Sequence, residues 1–270
     1  MDEQLRKIAE GREAEIFAWE DGTVLKLMRS PDAQQAVEWQ ERALRAALSA
    51  GVSVPAVHGT TTVDGRPGLI MVRIDGPDML TLVGKKPWTI FEVATVLGQV
   101  HARMHEVRAP EELRNLKDAL KGRIESSERV PGEVARQAVE ALAGLPDGDR
   151  LCHGDFHPGN IIKTDGKPVV IDWTGVMRGD PAADVCRTDL MTRLGDLPPG
   201  SPRLLRALAL VGRSILRTVY PRAYQRVRSM DKALIERWEV PVAANRLADG
   251  IEPERAKLLR ILEERRAPSG

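Results

Sequence analysis

Aromatic side chains make up only 4% of the 270 residues, so any core must be built from Leu, Val, Ile, Ala and Met. Cysteine is nearly absent. Cys152 and Cys186 cannot form a disulfide framework and are expected as reduced thiols. Five histidines limit any metal site made of nitrogen and sulfur ligands. No apolar run approaches the roughly 18 residues of a membrane span. Residues Met1 to Glu10 mix acids and bases and lack the apolar stretch of a secretory leader, so a cytoplasmic protein is expected. Charge of one sign is missing too. Forty Lys and Arg oppose 39 Asp and Glu, for a formal net charge of +1. That balance excludes a generally basic nucleic-acid binder and a charge-driven disordered chain. Neither a nucleic-acid nor a membrane partner is expected, and oligomeric state is not readable from these residues.

Hydrophobic residues are 42% of the chain, enough for a normal core. Residues 5–29 read as strands. Asp21-Gly22 separates Glu15–Trp19 from Thr23–Met28, the pattern of a tight hairpin turn, and Gly11 closes an earlier strand. Ser30-Pro31-Asp32 reads as a helix start with Ser as the cap; Val37, Leu44, Ala47 and Leu48 share one face, and Gly51 ends the helix. Strands near 54–60 and 68–74 follow, joined through Asp64-Gly65. Past Gly76-Pro77 the pattern turns helical, over 89–107, 111–128 and 132–144. Short apolar runs at 150–173, around Asp165-Gly166, suggest another hairpin, and 184–266 is helical again. The expected architecture is α+β and bilobal. A small antiparallel lobe with one helix (1–73) joins, through a hinge near 72–76, a larger helical lobe (74–270), with a cleft between them.

Reactive side chains concentrate in His153-Gly154-Asp155-Phe156-His157-Pro158-Gly159-Asn160, followed by Val170-Ile171-Asp172-Trp173. The Pro-Gly pair makes the first run a loop. Asp155 can accept the proton of a hydroxyl, while Asn160 and Asp172 offer the hard oxygen ligands that Mg²⁺ prefers beside phosphates. An Asp followed five residues later by Asn also matches the catalytic loop of kinases. That spacing alone is common; the whole run is not.

HGDFHPGN with IDW resembles the aminoglycoside phosphotransferase family, the kinase-like group that includes choline and other small-molecule kinases. The resemblance extends over most of the chain and implies a protein-kinase-like fold and a Mg²⁺-dependent transfer from ATP or GTP to a small-molecule hydroxyl. It implies Asp155 as the catalytic group that orients and deprotonates the acceptor, and Asn160 and Asp172 as metal ligands. Lys26 would bind the nucleotide phosphates and be held by Glu41, with Glu38 the rival one turn earlier. Met71 would line the back of the adenine pocket, and the backbones of Val72 and Ile74 would bond the base. Asp184 resembles the family acid that braces the catalytic loop, and His105 matches the family's Leu-His helix ending. One departure stands out: Ile8–Glu15 holds a single glycine where kinases carry three, leaving Arg12 as the candidate to assist the phosphates.

Other readings are weighed against this one. His101 and His105 are spaced i, i+4 but lack the glutamate of a zinc-protease helix, so packing is expected of them. His153 and His157 are expected to bond the loop backbone; as metal ligands they would instead suggest a hydrolase. Asp180 reads as a helix cap or a substrate-facing acid, and Trp173 as a pocket wall or packing residue. A catalytically weak nucleotide-binding scaffold would have lost part of the set Lys26, Asp155, Asn160 and Asp172, and none is lost. A protein kinase would need room for an activation loop and an Ala-Pro-Glu run, which the chain lacks. Residues 201–230 hold seven arginines and no acid, whereas the remainder has 33 basic and 39 acidic side chains. If that stretch borders the cleft, a neutral or anionic acceptor fits better than a polycation. Aminoglycoside-like antibiotics, amino alcohols and sugar-like metabolites remain the candidate acceptors.

Overall fold

The computed structural model describes residues 6–20, 22–195 and 203–265, with backbone alone at 203–206. Its first part is an antiparallel sheet in the order β1-β2-β3-β5-β4, formed by β1 (Lys7–Glu10), β2 (Ala14–Ala18), β3 (Thr23–Met28), β4 (Val57–Val63) and β5 (Arg66–Val72). The β4–β5 turn is the one expected: Asp64 and Gly65 both take positive φ, 51° and 73°, as a two-residue hairpin with the strands' own twist requires. Period-2 alternation sends Val24 and Lys26 of β3, with Leu69 and Met71 of β5, to the face that lines a cleft.

Helix α1 (Gln34–Ser49) packs against β4 and β5. It starts later than the sequence suggested. Ser30 Oγ accepts the Asp32 N–H in a turn, and Ala33 precedes the helix without a side-chain cap. Its buried stripe is Val37, Gln40, Ala43, Leu44 and Ala47, while Leu48 is exposed.

The remainder is mainly helical. α2 (Met79–Lys85), which the sequence reading did not anticipate, is capped by Asp78 through the Thr81 N–H at 2.8 Å. Then come α3 (Ile90–Met104), α4 (Leu116–Ser126) and α5 (Gly132–Ala143), the last two close to expectation. Short strands follow: β6 (Arg150–Cys152), β7 (Ile161–Ile162), β8 (Val169–Val170) and β9 (Met177–Gly179). β7 pairs β8 as the expected hairpin, but across a longer loop than Asp165-Gly166 alone. β6 pairs β9. The chain ends in α6 (Pro181–Leu194), α7 (Arg203–Gln225), α8 (Lys232–Ala248) and α9 (Glu252–Glu264).

Two apolar clusters hold this together. One joins the sheet, α1, α3, α7 and the His153–Asn160 loop. The other joins α4, α5, α6, α8 and α9. Gly98 lets α3 and α7 touch backbone to backbone, because a Cβ there would strike the Tyr220 carbonyl. No described helix is long and apolar enough to cross a membrane. The arginine-rich stretch, which would have bordered the cleft only if it were not a solvated helix face, lies on α7 and just beyond it, and α7 packs on α3. Arg213, Arg217, Arg222, Arg226 and Arg228 are not among the cleft-lining residues, and Arg203 and Arg206 have no described side chains. The charge that borders the cleft comes from other elements.

Candidate active site

The His153–Asn160 loop runs from β6 to β7, and its shape is dictated by hydrogen bonds to its own backbone. Phe156 is its apolar anchor, fully buried and stacked 4.1 Å from the His101 ring. Thr188 Oγ1 donates to the Phe156 carbonyl at 2.8 Å. His153 Nε2 donates to the Ile171 carbonyl at 3.0 Å, and its Nδ1 accepts the Asp155 N–H at 3.3 Å. His157 Nδ1 accepts the Gly159 N–H at 3.0 Å. Both histidines therefore serve the loop as expected, and His153 has no ring nitrogen left for a metal. Asn160 Nδ2 donates to the Asp155 carbonyl at 2.8 Å. Gly154 adopts φ 78°, and a Cβ on it would overlap the Gly175 carbonyl, so only glycine fits there.

Asp184, on the first turn of α6, braces this loop. It is 2% exposed and accepts the N–H groups of His153 (2.6 Å) and Gly154 (3.0 Å). The Nε2 atoms of His101 and His105 lie 3.2 and 3.3 Å from the same carboxylate. The Nδ1 atoms of the two histidines meet the hydroxyls of Tyr220 (2.7 Å) and Tyr224 (2.8 Å) on α7. Burial opposes charge on Asp184, yet the histidine hydrogen bonds hold its carboxyl well below the usual range. Burial lowers His101 to about 3, so that imidazole is neutral and donates. The grouping of His101, His105 and Asp184 has metal-ligand geometry, but each atom is already used in this brace. Asp180 is the N-cap of α6, accepting the Ala182 N–H at 2.7 Å, and does not line the cleft.

Asp172 follows β8 in the left-handed conformation (φ 60°, ψ 67°), uncommon for a non-glycine residue and characteristic of functional turns. Its Oδ1 accepts Lys26 Nζ at 2.8 Å and Thr174 Oγ1 at 3.1 Å. Burial raises the Asp172 carboxyl; Lys26, with His153 and the Thr174 hydroxyl, outweighs this and holds it below the ordinary value. Trp173 is buried beside it, bonds the Val170 carbonyl and lines the cleft, so it both packs and forms pocket wall.

Asp155 borders the same cleft. Burial raises its carboxyl; His157 Nε2 at 3.6 Å from Oδ2, with Arg187 and His153, outweighs this and brings it down to about 2. A carboxylate so held is ionised at every physiological pH.

The helix acids do not behave as the resemblance implied. Glu41 bonds Arg45 at 2.8 Å, and Glu38 accepts from Gln34 at 3.1 Å. Lys26 bonds Asp172 instead. The cleft face of α1 is Ala36, Gln40 and Leu44, spaced i, i+4, i+8; Glu41 lies about 100° further round.

The cleft measures about 1010 Å³, at or just above the roughly 300–1,000 Å³ of small-molecule sites. Lys26, Met71, Val72, Ile74, Asp155 and Asp172 all line it. The Val72 N–H is given to the Ala56 carbonyl at 2.9 Å. Arg12, Arg123, Arg187, Asn245, Arg246 and Asp249 also line the cleft, and sequence reasoning missed all of these except Arg12. Arg187 alone carried a signal, lying one helical turn beyond Asp184.

Residues 4–193 match the model of a family described as the phosphotransferase enzyme family. The chain belongs to that family. A hydroxyurea phosphotransferase of Kitasatospora aureofaciens is 29% identical over 45% of this chain and 42% of its own length, so the match spans less than half of that relative. Among solved structures, aminoglycoside phosphotransferase APH(4)-Ia superposes with a TM-score of 0.66 at 16% identity, covering 98% of this chain and 95% of that one. A thermostable mutant of that enzyme, solved as a ternary complex with ADP and hygromycin B, gives 0.65 at 16% identity, over 97% and 92%. A fructosamine-3-kinase homologue from Haemophilus somnus 129PT gives 0.63 at 13% identity, over 97% and 90%. At these identities the structural likeness establishes the kinase-like fold.

Proposed function

We propose that this phosphotransferase moves the terminal phosphate of ATP or GTP onto a hydroxyl of a small molecule. One observation carries the reading: Lys26, Asp155 and Asp172 come from separate parts of the chain and line one cleft, with Lys26 and Asp172 bonded at 2.8 Å, while Asn160 does not line it but bonds the Asp155 carbonyl behind it. Family membership and a relative named for phosphotransfer support it.

In this reading the base sits between residues 1–73 and 74–270, at the 72–76 joint, against Met71, the Val72 carbonyl and the Ile74 amide. Lys26 holds the phosphates. Asp155, ionised and fixed by its backbone bonds, receives the acceptor hydroxyl and orients it in line with the phosphorus. The donor set suits Mg²⁺. Asp172 offers a carboxylate, and Asn160, whose NH₂ is committed to the Asp155 carbonyl, keeps its amide oxygen for a cation. Bound there, Mg²⁺ would neutralise phosphate charge. Glu41 has no part in it. Dependence on a nucleotide donor agrees with a cytoplasmic location.

The test is an ATP- and GTP-consumption screen over aminoglycosides, other hydroxylated antibiotics, amino alcohols, sugars and their acidic derivatives, with the product identified by mass. A phosphorylated hydroxyl supports the reading. Failure to bind either nucleotide in the presence of Mg²⁺ contradicts it.

A further inference from the structure

The part of the cleft beyond Asp155 is built by the β1–β2 turn, α4, α6 and α8, and it is crowded with guanidinium groups. Asp249, just past the end of α8 and 6% exposed, is their common anchor. Its carboxylate takes Arg123 Nη2 at 2.5 Å, Arg187 Nη2 at 3.1 Å and Arg246 Nη1 at 3.2 Å. Its backbone carbonyl takes Arg12 Nη2 at 3.1 Å, tying the β1–β2 turn to the far side of the cleft. Glu254 neutralises Arg246 through a two-point pair at 2.7 and 2.9 Å. Arg123 and Arg187 are left with the Asp249 carboxylate, while Arg12 takes its backbone carbonyl.

Arg187 also stands 3.9 Å from Asp155 Oδ1, beside the group on which the acceptor hydroxyl would rest. Its Nε and Nη1 are buried and without a hydrogen-bond partner, as is Asn245 Oδ1 at the same wall. A planar fork with open donors, fixed by a buried acid and flanked by further cations, is suited to an oxygen-rich anion. A polycation would meet like charge here.

We infer that the acceptor is an anionic hydroxyl compound, bearing a carboxylate or phosphate that Arg187 and Arg123 hold, with Arg12 closing over it, while its hydroxyl rests on Asp155. This deepens the phosphotransfer reading and rests on it. The transfer balances simply: the acceptor oxygen bonds the terminal phosphorus, the bridging bond to the nucleoside diphosphate breaks, and the hydroxyl proton passes to Asp155.

Inorganic phosphate serves as the probe. It is titrated by calorimetry into full-length protein saturated with Mg²⁺ and a non-hydrolysable ATP analogue, so that the terminal-phosphate position is already filled, with chloride at equal ionic strength as the control. Saturable phosphate binding is expected. Arg187→Gln and Arg123→Gln should each weaken it roughly ten- to a hundred-fold. Nucleotide affinity should stay within about twofold. Arg123 is half exposed, so its variant reports even if the Arg187 variant folds poorly. Absence of phosphate binding, or binding untouched by Arg123→Gln, overturns the inference; so does a loss of nucleotide affinity in that variant, which would assign the arginines to the donor, and so does efficient turnover of a polycationic acceptor. Failure of the phosphotransfer reading looks different, since the nucleotide itself would then not bind.

Discussion

Replacing Asp184 with Asn exchanges one carboxylate oxygen for an NH₂ group and tests the brace beneath the His153–Asn160 loop. The carboxylate takes two backbone N–H groups and two imidazoles inside a site that water does not reach. An amide has a single acceptor oxygen, and its NH₂ would face groups that are themselves donors. At least one charge-assisted hydrogen bond is lost and one donor is left opposed. Hydrogen bonds to buried charges contribute about 1.5–3 kcal/mol each, and removing one partner of a buried charged cluster costs about 3–5 kcal/mol. Asp184→Asn should therefore lose about 3–5 kcal/mol by urea unfolding. The thermal midpoint should drop by roughly 6–20 °C for a chain of this size. Because His153 and Gly154 precede Asp155, turnover should fall more than nucleotide affinity. A variant within about 1 kcal/mol of the parent, turning over at the parent's rate, would refute the brace.

Three further outcomes follow from the same geometry. Glu41→Ala should leave nucleotide affinity unchanged and cost no more than about 0.5 kcal/mol, since it removes one i, i+4 surface pair with Arg45; a large loss of affinity would restore Glu41 to the lysine. Stability should rise with pH from about 4 to 6.5. His101 binds a proton in the unfolded chain below 6.5, but in the fold only below about 3, which gives a slope of about 1.4 kcal/mol per pH unit from this residue. Burial lowers His153 in the same direction, so the total slope is steeper, and His101→Gln should reduce it; urea midpoints across pH that show no rise would sink the assignment. Phe156→Ala should cost about 3–5 kcal/mol by urea unfolding, as the loop's only buried apolar anchor is deleted; a cost under 1 kcal/mol would mean the loop is held by its hydrogen bonds alone.

The parts of this site that were legible in the sequence are those made by neighbours in the chain. The Asp64-Gly65 turn, the β3 alternation that faces Lys26 into the cleft, and the loop from His153 to Asn160 rest on local steric and hydrogen-bonding rules, which the residues state directly. What was not legible depends on partners far apart in sequence. The imidazoles that hold Asp184 come from α3, 79 and 83 residues away, and nothing local says which acid they meet. Asp249 gathers arginines from four elements, and Arg12 reaches it across 237 residues. Glu41 was expected beside Lys26 because the resemblance implied it, and the residues of α1 alone do not say which side chain meets β3; in the fold Gln40 is buried and Glu41 bonds Arg45. The left-handed backbone of Asp172 has no sequence signature, because Asp adopts it only where the surrounding structure demands it.

The central claim is that Asp155 receives the acceptor hydroxyl while other groups hold the nucleotide. Its most direct test is the rate of phosphate transfer by Asp155→Asn, using an acceptor found in the consumption screen, alongside nucleotide binding by the same variant. Transfer should fall by at least about 100-fold, the usual contribution of a general base, with nucleotide affinity and folding unchanged. Undiminished transfer by Asp155→Asn would contradict the account.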